Sequence, residues 1–380
     1  MKYKAFQDFY KELEIKHLIL HEYNGKLISP PFATELCKDY SKIAVLEGTS
    51  VSYIDLDLPP VTSKFNALAQ VDDSLWLIPY GIWDKFNIIV ELNNTSATYH
   101  AIDKPGKGQF YSIASNNNSA CSFPLGYEGT NYIIYINKYG LQTVEYTAEN
   151  VKAHMGTVWC NGRYWSMPRG DEPGYTNLLG FDGTDLETFK VPVDASITRK
   201  FTDIVPIDNK LYSLPYGETE GLTDVVEFDT DTHQFTLYPL DVPDFPKKFN
   251  TQIVVGNSII GLPYGDEDDD NSNYGVIFNL ITKQSISLDI GLNFGGKYRY
   301  RSGISVDNYG LFFPTGTPSC PIIKVYEDGT IEKKFYEDTM FGRPILYNNA
   351  VHVIGYDITT KISTVYKFNK DLTCNTIAAL

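Results

Sequence analysis

The stretch LYSLPYGETEG (Leu211–Gly221) ends an apolar run on Pro-Tyr-Gly. The same tripeptide stands in WLIPYG (Trp76–Gly81) and IIGLPYG (Ile259–Gly265). Taking the proline of every Pro-x-Gly phrase as an anchor gives Pro79, Pro124, Pro168, Pro215, Pro263 and Pro314, spaced by 45, 44, 47, 48 and 51 residues. Two weaker copies flank them: LISPP places Pro30 49 residues before Pro79, and HVIGY places Gly355 41 residues after Pro314. Self-similarity at a period of roughly 40 to 50 residues marks a chain built from one supersecondary unit repeated.

Columns around the anchor say what the unit is. Six or seven residues ahead of it stands a turn pair such as Asp72-Asp73, Asn117-Asn118, Asn161-Gly162, Asp208-Asn209 or Asp307-Asn308, with Asn24-Gly25 shifted by one. Asn, Asp and Gly tolerate the positive φ that tight hairpins require. Fourteen ahead comes an aromatic (Phe65, Phe110, Phe201, Phe249, Tyr300, Phe341), with His154 as the exception. Twelve ahead the residue is often small (Ala67, Ser112, Gly156, Thr251, Ser302), and ten ahead it is apolar throughout. Offsets of 14, 12 and 10 share parity, which places them on one face of an inner strand A. Strand B then ends at the proline, which cannot donate to a ladder. Strand C follows in FNIIVEL (86–92), DVVEFD (224–229) and YGVIFNL (274–280), and strand D in LQTVEYT and QFTLYPL.

Four antiparallel strands per repeat predict an all-β chain: a β-propeller of eight four-stranded blades. The approximate blades are 15–57, 58–103, 104–149, 150–194, 195–241, 242–291, 292–338 and 339–380, forming a single domain over 15–380 with residues 1–14 as an N-terminal arm or short helix. Seven blades, with the first segment as a cap, is the alternative, because Pro30-Pro31-Phe32 lacks the glycine. From about residue 15 the chain resembles a β-propeller of the broad Kelch-like, repeat-built kind. It matches no narrower subfamily. Kelch blades carry a Gly-Gly doublet, and the one here is Gly295-Gly296. Tryptophan-aspartate repeats end blades in Trp-Asp, and the one instance, Trp83-Asp84, falls in a loop.

Composition narrows the function classes. The formal charge of −15 over 380 residues argues against nucleic acid and anionic membranes as partners, since both require basic surface. No apolar stretch reaches the length of a membrane span, and Asp8, Glu12 and Glu14 interrupt the place of a signal peptide. Five widely spaced cysteines without a CxxC pair read as thiols of a reducing compartment. The expected location is cytoplasmic or virion-associated.

Because antiparallel order puts the B-to-C loops and the D-to-A linkers on one face, candidate binding residues gather there. Fifteen residues before the anchor, Lys64, Gln109, Lys200, Lys248 and Arg299 recur, with Lys152 one step off. Two readings fit this column: a basic collar that holds an anion at the channel mouth, or ion pairs and buried stems between blades. The acidic loop GDEDDDNSN alternates Asp266, Asp268 and Asp270 as a calcium loop does, but Asn271 and Ile277 occupy the places of the required glycine and glutamate, so a solvated loop is expected and no metal. Trp83, Tyr127 and Tyr175 are rim aromatics able to stack on sugars or anchor a protein, while Tyr80, Tyr216 and Tyr264 read as packing. No HExxH, GxSxG, P-loop or GxGxxG occurs, so no catalytic residue and no cofactor is assigned. The leading expectation is a non-catalytic scaffold holding a macromolecular partner on its loop face. The alternatives are a virus or phage particle protein that recognises carbohydrate, and a propeller glycan hydrolase or lyase whose carboxylates meet only in three dimensions.

Overall fold

The computed structural model describes residues 12–81, 86–94, 96–102, 110–125, 132–146, 153–170, 173–264, 273–291, 299–315 and 320–380. Eight antiparallel sheets succeed one another along the chain, each ordered A-B-C-D. The chain is an eight-bladed β-propeller. Blade 1 is a complete four-stranded sheet between His21 and Asp55, which removes the seven-blade alternative. In blade 8 the inner strand is broken into Thr339–Phe341 and Ile345–Tyr347, both paired with Ala350–Asp357. Among the described residues the helical content is the 3-10 turn Glu35–Cys37 and a single 3-10 residue, Asn273.

The turn residues behave as their chemistry requires. Asn24, Asp72, Asn161, Asp208, Asp307 and Asn348 all take positive φ between their A and B strands. Blade 3 reaches the same reversal differently: the Asn116 side-chain oxygen accepts from the backbone N–H groups of Asn118 and Ser119, both at 2.9 Å. Burial grades outward from the axis. Strand B is covered on both sides, so Ser258–Pro263 and Tyr309–Pro314 are buried throughout. Outer strands such as Ser96–Ala101 are largely exposed.

Eight apolar wedges fill the spaces between blades, and their membership corrects the parity expectation. Phe65 packs between blades 1 and 2 with Tyr23, Ile28 and Ile43, whereas Ala67 and Ala69 face blade 3 with Phe110 and Ile134. A β-bulge separates them: Phe65 pairs with Pro79 and Ala67 with Ile78, leaving Asn66 as the extra residue. The same irregularity falls between Met155 and Thr157, Phe249 and Gln252, and Tyr300 and Ser302. One inserted residue flips every later side chain to the other face. The aromatic therefore seals the wedge behind its blade and the apolar residue ten before the anchor seals the wedge ahead.

Among the described residues no strand of blade 1 pairs with a strand of blade 8. Closure rests on side chains and on the segment before blade 1. Leu20, Leu27, Ala44 and Leu46 pack against Ile354, Val365 and Ala378, and the Tyr347 hydroxyl donates to the Gly25 carbonyl at 2.6 Å. Ile19 bridges Arg343 in parallel. This passage is so close that a Cβ on Gly342 would come within 1.8 Å of the Leu18 carbonyl oxygen. The same segment lays Leu13 and Ile15 over Tyr80, Tyr111, Met155, Met340 and Tyr356, a ninth cluster capping the corner face.

Candidate functional site

The Pro-x-Gly corner and the start of strand A form one hydrogen-bonded ring. Tyr216 N–H donates to the Lys200 carbonyl of its own blade at 2.8 Å, and the Tyr216 carbonyl accepts from Lys248 N–H of the next blade at 2.8 Å. Tyr264 repeats this, donating to Lys248 at 2.8 Å and accepting from Arg299 at 2.9 Å. Among the described residues the same clasp joins blades 1 and 2 (Lys64 N–H to the Phe32 carbonyl), 3 and 4 (His154 to Pro124) and 4 and 5 (Lys200 to Arg169), which is why the phrase recurs. Gly217 has φ of +60°, and a Cβ there would lie 2.9 Å from the Thr219 carbonyl oxygen, which is why the corner takes glycine.

The structure places Lys64, Lys200, Lys248 and Arg299 at the same corner position of blades 2, 5, 6 and 7, and it buries them. The three lysines have no solvent exposure and Arg299 has 3%. Lys64, Lys200 and Lys248 each turn the ammonium back onto the carbonyl three residues earlier, at Val61, Ile197 and Phe245. Lys248 also pairs with Asp244 at 2.6 Å, and Arg299 donates to the Asn273 side chain at 2.9 Å. Burial pulls the Lys200 ammonium down to about 8, against the opposing pull of Asp194. These cations thus close the D-to-A linkers. Tyr80, Tyr216 and Tyr264 are buried too, while Tyr175 is half-buried on its corner. Gln109, Lys152, Trp83, Tyr127, Asp266, Asp268 and Asp270 lie outside the described residues.

A second constellation lies inside the ring. The bulges turn residues at offsets 13 and 12 toward the axis, where a cavity of about 220 Å³ is lined by Tyr111, Thr202, Asp203, Asn250, Arg301 and Arg343 together with small neighbours. Arg301 of blade 7 reaches across the axis and donates from Nε to the Tyr111 hydroxyl of blade 3 at 3.1 Å. Arg343 of blade 8 stacks its guanidinium 4.5 Å from the Tyr111 ring centroid and donates to the Asn66 carbonyl of blade 2 at 3.3 Å. Burial alone would push the Tyr111 phenol up, but the two guanidiniums outweigh it and bring it down to about 8. On the facing wall, burial pushes the Asp203 carboxyl up to about 6, although it accepts from Ile204 N–H at 2.9 Å and Gln252 N–H at 3.2 Å.

Among the described residues no histidine or cysteine lines this cavity, and its titratable groups besides the arginines are Asp203 and Tyr111. Among the described residues no cluster of His, Cys, Asp and Glu could hold a metal ion, and no helix is long and apolar enough to cross a membrane. All five cysteines are unpaired thiols. Sequence reading passed over the cavity because its residues differ from blade to blade. The available signal was the converse of the recurring one: two arginines, Arg301 and Arg343, at columns where the other blades carry mostly small or uncharged residues, Asp203 being the exception.

No protein-family model matches this sequence, and no curated protein matches it. Solved structures do. BamB from Moraxella catarrhalis superposes with a TM-score of 0.60 at 11% identity, covering 94% of this chain and 96% of that one. A streptogramin B lyase gives 0.54 at 14% identity over 83% of this chain and 96% of that one. The RRP9 WD40 repeats give 0.52 at 8% identity over 76% and 86%. These likenesses establish the propeller fold. At such identities they carry no activity across.

Proposed function

We propose that this propeller works by binding, and that its corner face holds a macromolecular partner presenting a basic surface. The observation that carries this reading is the unequal burial of charge. Among the described residues Lys64, Arg169, Lys200, Lys247, Lys248, Arg299 and Lys324 are buried, against one acidic side chain, Glu227. The formal charge of −15 therefore understates how negative the solvent-facing surface is. A large surface of one sign steers and selects oppositely charged partners. Glu220, in a B-to-C loop, and Glu337, in a D-to-A linker, are exposed on this face. A pull-down from the protein's source, compared between wild type and a Glu220→Lys/Glu337→Lys variant, tests the reading. The expected result is a partner that elutes with rising salt and is lost from the variant. A partner held equally by both proteins and indifferent to salt overturns it, as does a glycan array on which the protein binds neutral sugars instead.

A further inference from the structure

We propose that the axial cavity is an oxyanion site, taking a carboxylate or phosphate group of a small ligand between the Arg301 and Arg343 guanidiniums. The inference is independent of the corner-face reading, since it concerns side chains inside the ring.

Three observations converge on it. First, two guanidiniums meet on one neutral ring: Arg301 lies 5.3 Å and Arg343 4.5 Å from the Tyr111 centroid. A guanidinium with no carboxylate at ion-pair distance in a partly buried site favours an anion beside it, and this holds for Arg343. Arg343 has no carboxylate in ion-pair contact among the described residues; its contacts there are the Asn66 carbonyl and the phenol ring. Second, the Asn250 side chain on the same wall is 9% exposed and its carboxamide makes no hydrogen bond among the described residues, so it is available as a donor to a ligand. Third, the rest of the wall is neutral and hydroxylic, with Ser112, Thr202, Thr251 and Ser302, and its one carboxylate, Asp203, is occupied by backbone N–H groups of Ile204 and Gln252.

Guanidinium forks match planar carboxylate and tetrahedral phosphate through paired N–H bonds. The volume, about 220 Å³, admits one small molecule or one protruding group rather than a polymer segment. The acidic exterior adds selection, because it turns away extended polyanions while the local field inside the ring remains positive.

The test is calorimetric titration of the full chain with inorganic phosphate, with glucuronate, and with glucose as the uncharged control. Binding of either anion without binding of glucose is expected, and which of the two binds assigns the ligand to phosphate or carboxylate. Arg343→Gln should weaken that binding at least about tenfold. Because Arg343 also bonds the blade 2 backbone, Asn250→Asp is the second variant: it places a negative charge in the cavity at a residue whose side chain bonds nothing, and should weaken the anion by a similar factor with an unchanged melting temperature. No heat with either anion at millimolar concentration overturns the proposal. So does wild-type affinity in both variants.

Discussion

Lys200 and Arg301 stand fifteen and thirteen residues ahead of their blades' prolines, at the start of an inner strand. Lys200 turns back onto the Ile197 carbonyl of its own linker, and Lys64 and Lys248 do the same in theirs. Arg301 instead crosses the axis to a residue 190 positions away in sequence. The ring of corners spends its cations on backbone that every blade must order, so the same residue type recurs. The cavity gathers residues from blades 3, 4, 5, 6, 7 and 8: the small column at offset twelve recurs in it, but its charged and aromatic groups do not. In a repeat protein the recurring column reports what all copies need to fold. Asymmetry among copies is what a ligand of low symmetry requires.

Acid separates the two regions most strongly. His17, His21 and His154 are each lowered to about 4 by burial. His17 lies in the capping segment, with Nε2 2.8 Å from the Tyr40 hydroxyl, and His154 fills the aromatic column of blade 4. An unfolded chain protonates such groups near 6.5, so their stabilisation is complete above that pH and is lost as pH falls toward 4. Each costs about 1.4 kcal/mol per pH unit in that window. Asp203 acts in the opposite sense. Its folded carboxyl is raised to about 6, so its contribution is present at low pH and disappears as pH rises through 6. Chemical denaturation between pH 6.5 and 4.5 should therefore show a net loss of about 3 kcal/mol per unit, and His154→Phe should remove roughly half of it. A stability flat across this range would mean that these histidines are not held neutral.

Next in size is charge reversal in the ring. Lys200→Glu puts a carboxylate against the Ile197 carbonyl in a site without solvent exposure, and should cost about 3–5 kcal/mol in urea unfolding. A wild-type midpoint for this variant would free the lysine column from its linker role and restore it as a candidate ligand collar.

Much of the architecture was legible in residue types alone. Proline at the end of strand B, Asn or Asp in the A-to-B turn and an aromatic at the inner strand recur closely enough to count eight blades. Side-chain direction was not legible, because a bulge at Asn66, and its equivalents in other blades, inserts a residue that no composition rule marks. Nor was the capping segment. Its anchoring depends on particular backbone meetings, such as Phe32 N–H donating to Lys16 at 2.8 Å and Ile15 N–H to the Thr34 hydroxyl at 3.0 Å, rather than on a pattern. The cavity was hidden for a third reason. Arg343 and Asn66 are 277 positions apart, and only closure of the ring brings them together.

The smallest expected effect sharpens the contrast most. Tyr111→Phe deletes the hydroxyl that accepts from Arg301 and keeps the ring on which Arg343 stacks. A single hydrogen bond to a charged group, with a cation–π contact retained, sets the loss of stability at about 1–2 kcal/mol, below that of Lys200→Glu. The spectroscopic consequence is distinct. The two guanidiniums bring the Tyr111 phenol to about 8, whereas burial raises Tyr132, Tyr164 and Tyr212 well above the ordinary value. Wild-type protein should therefore show one phenolate appearing early in an ultraviolet pH titration, and Tyr111→Phe should lack it. If the early phenolate persists in the variant, the guanidiniums do not act on Tyr111, and the positive field assigned to the cavity loses its clearest reporter. If it vanishes while stability barely changes, the cavity is a place where the fold tolerates concentrated charge for little stabilising return, as a site held ready for a ligand does.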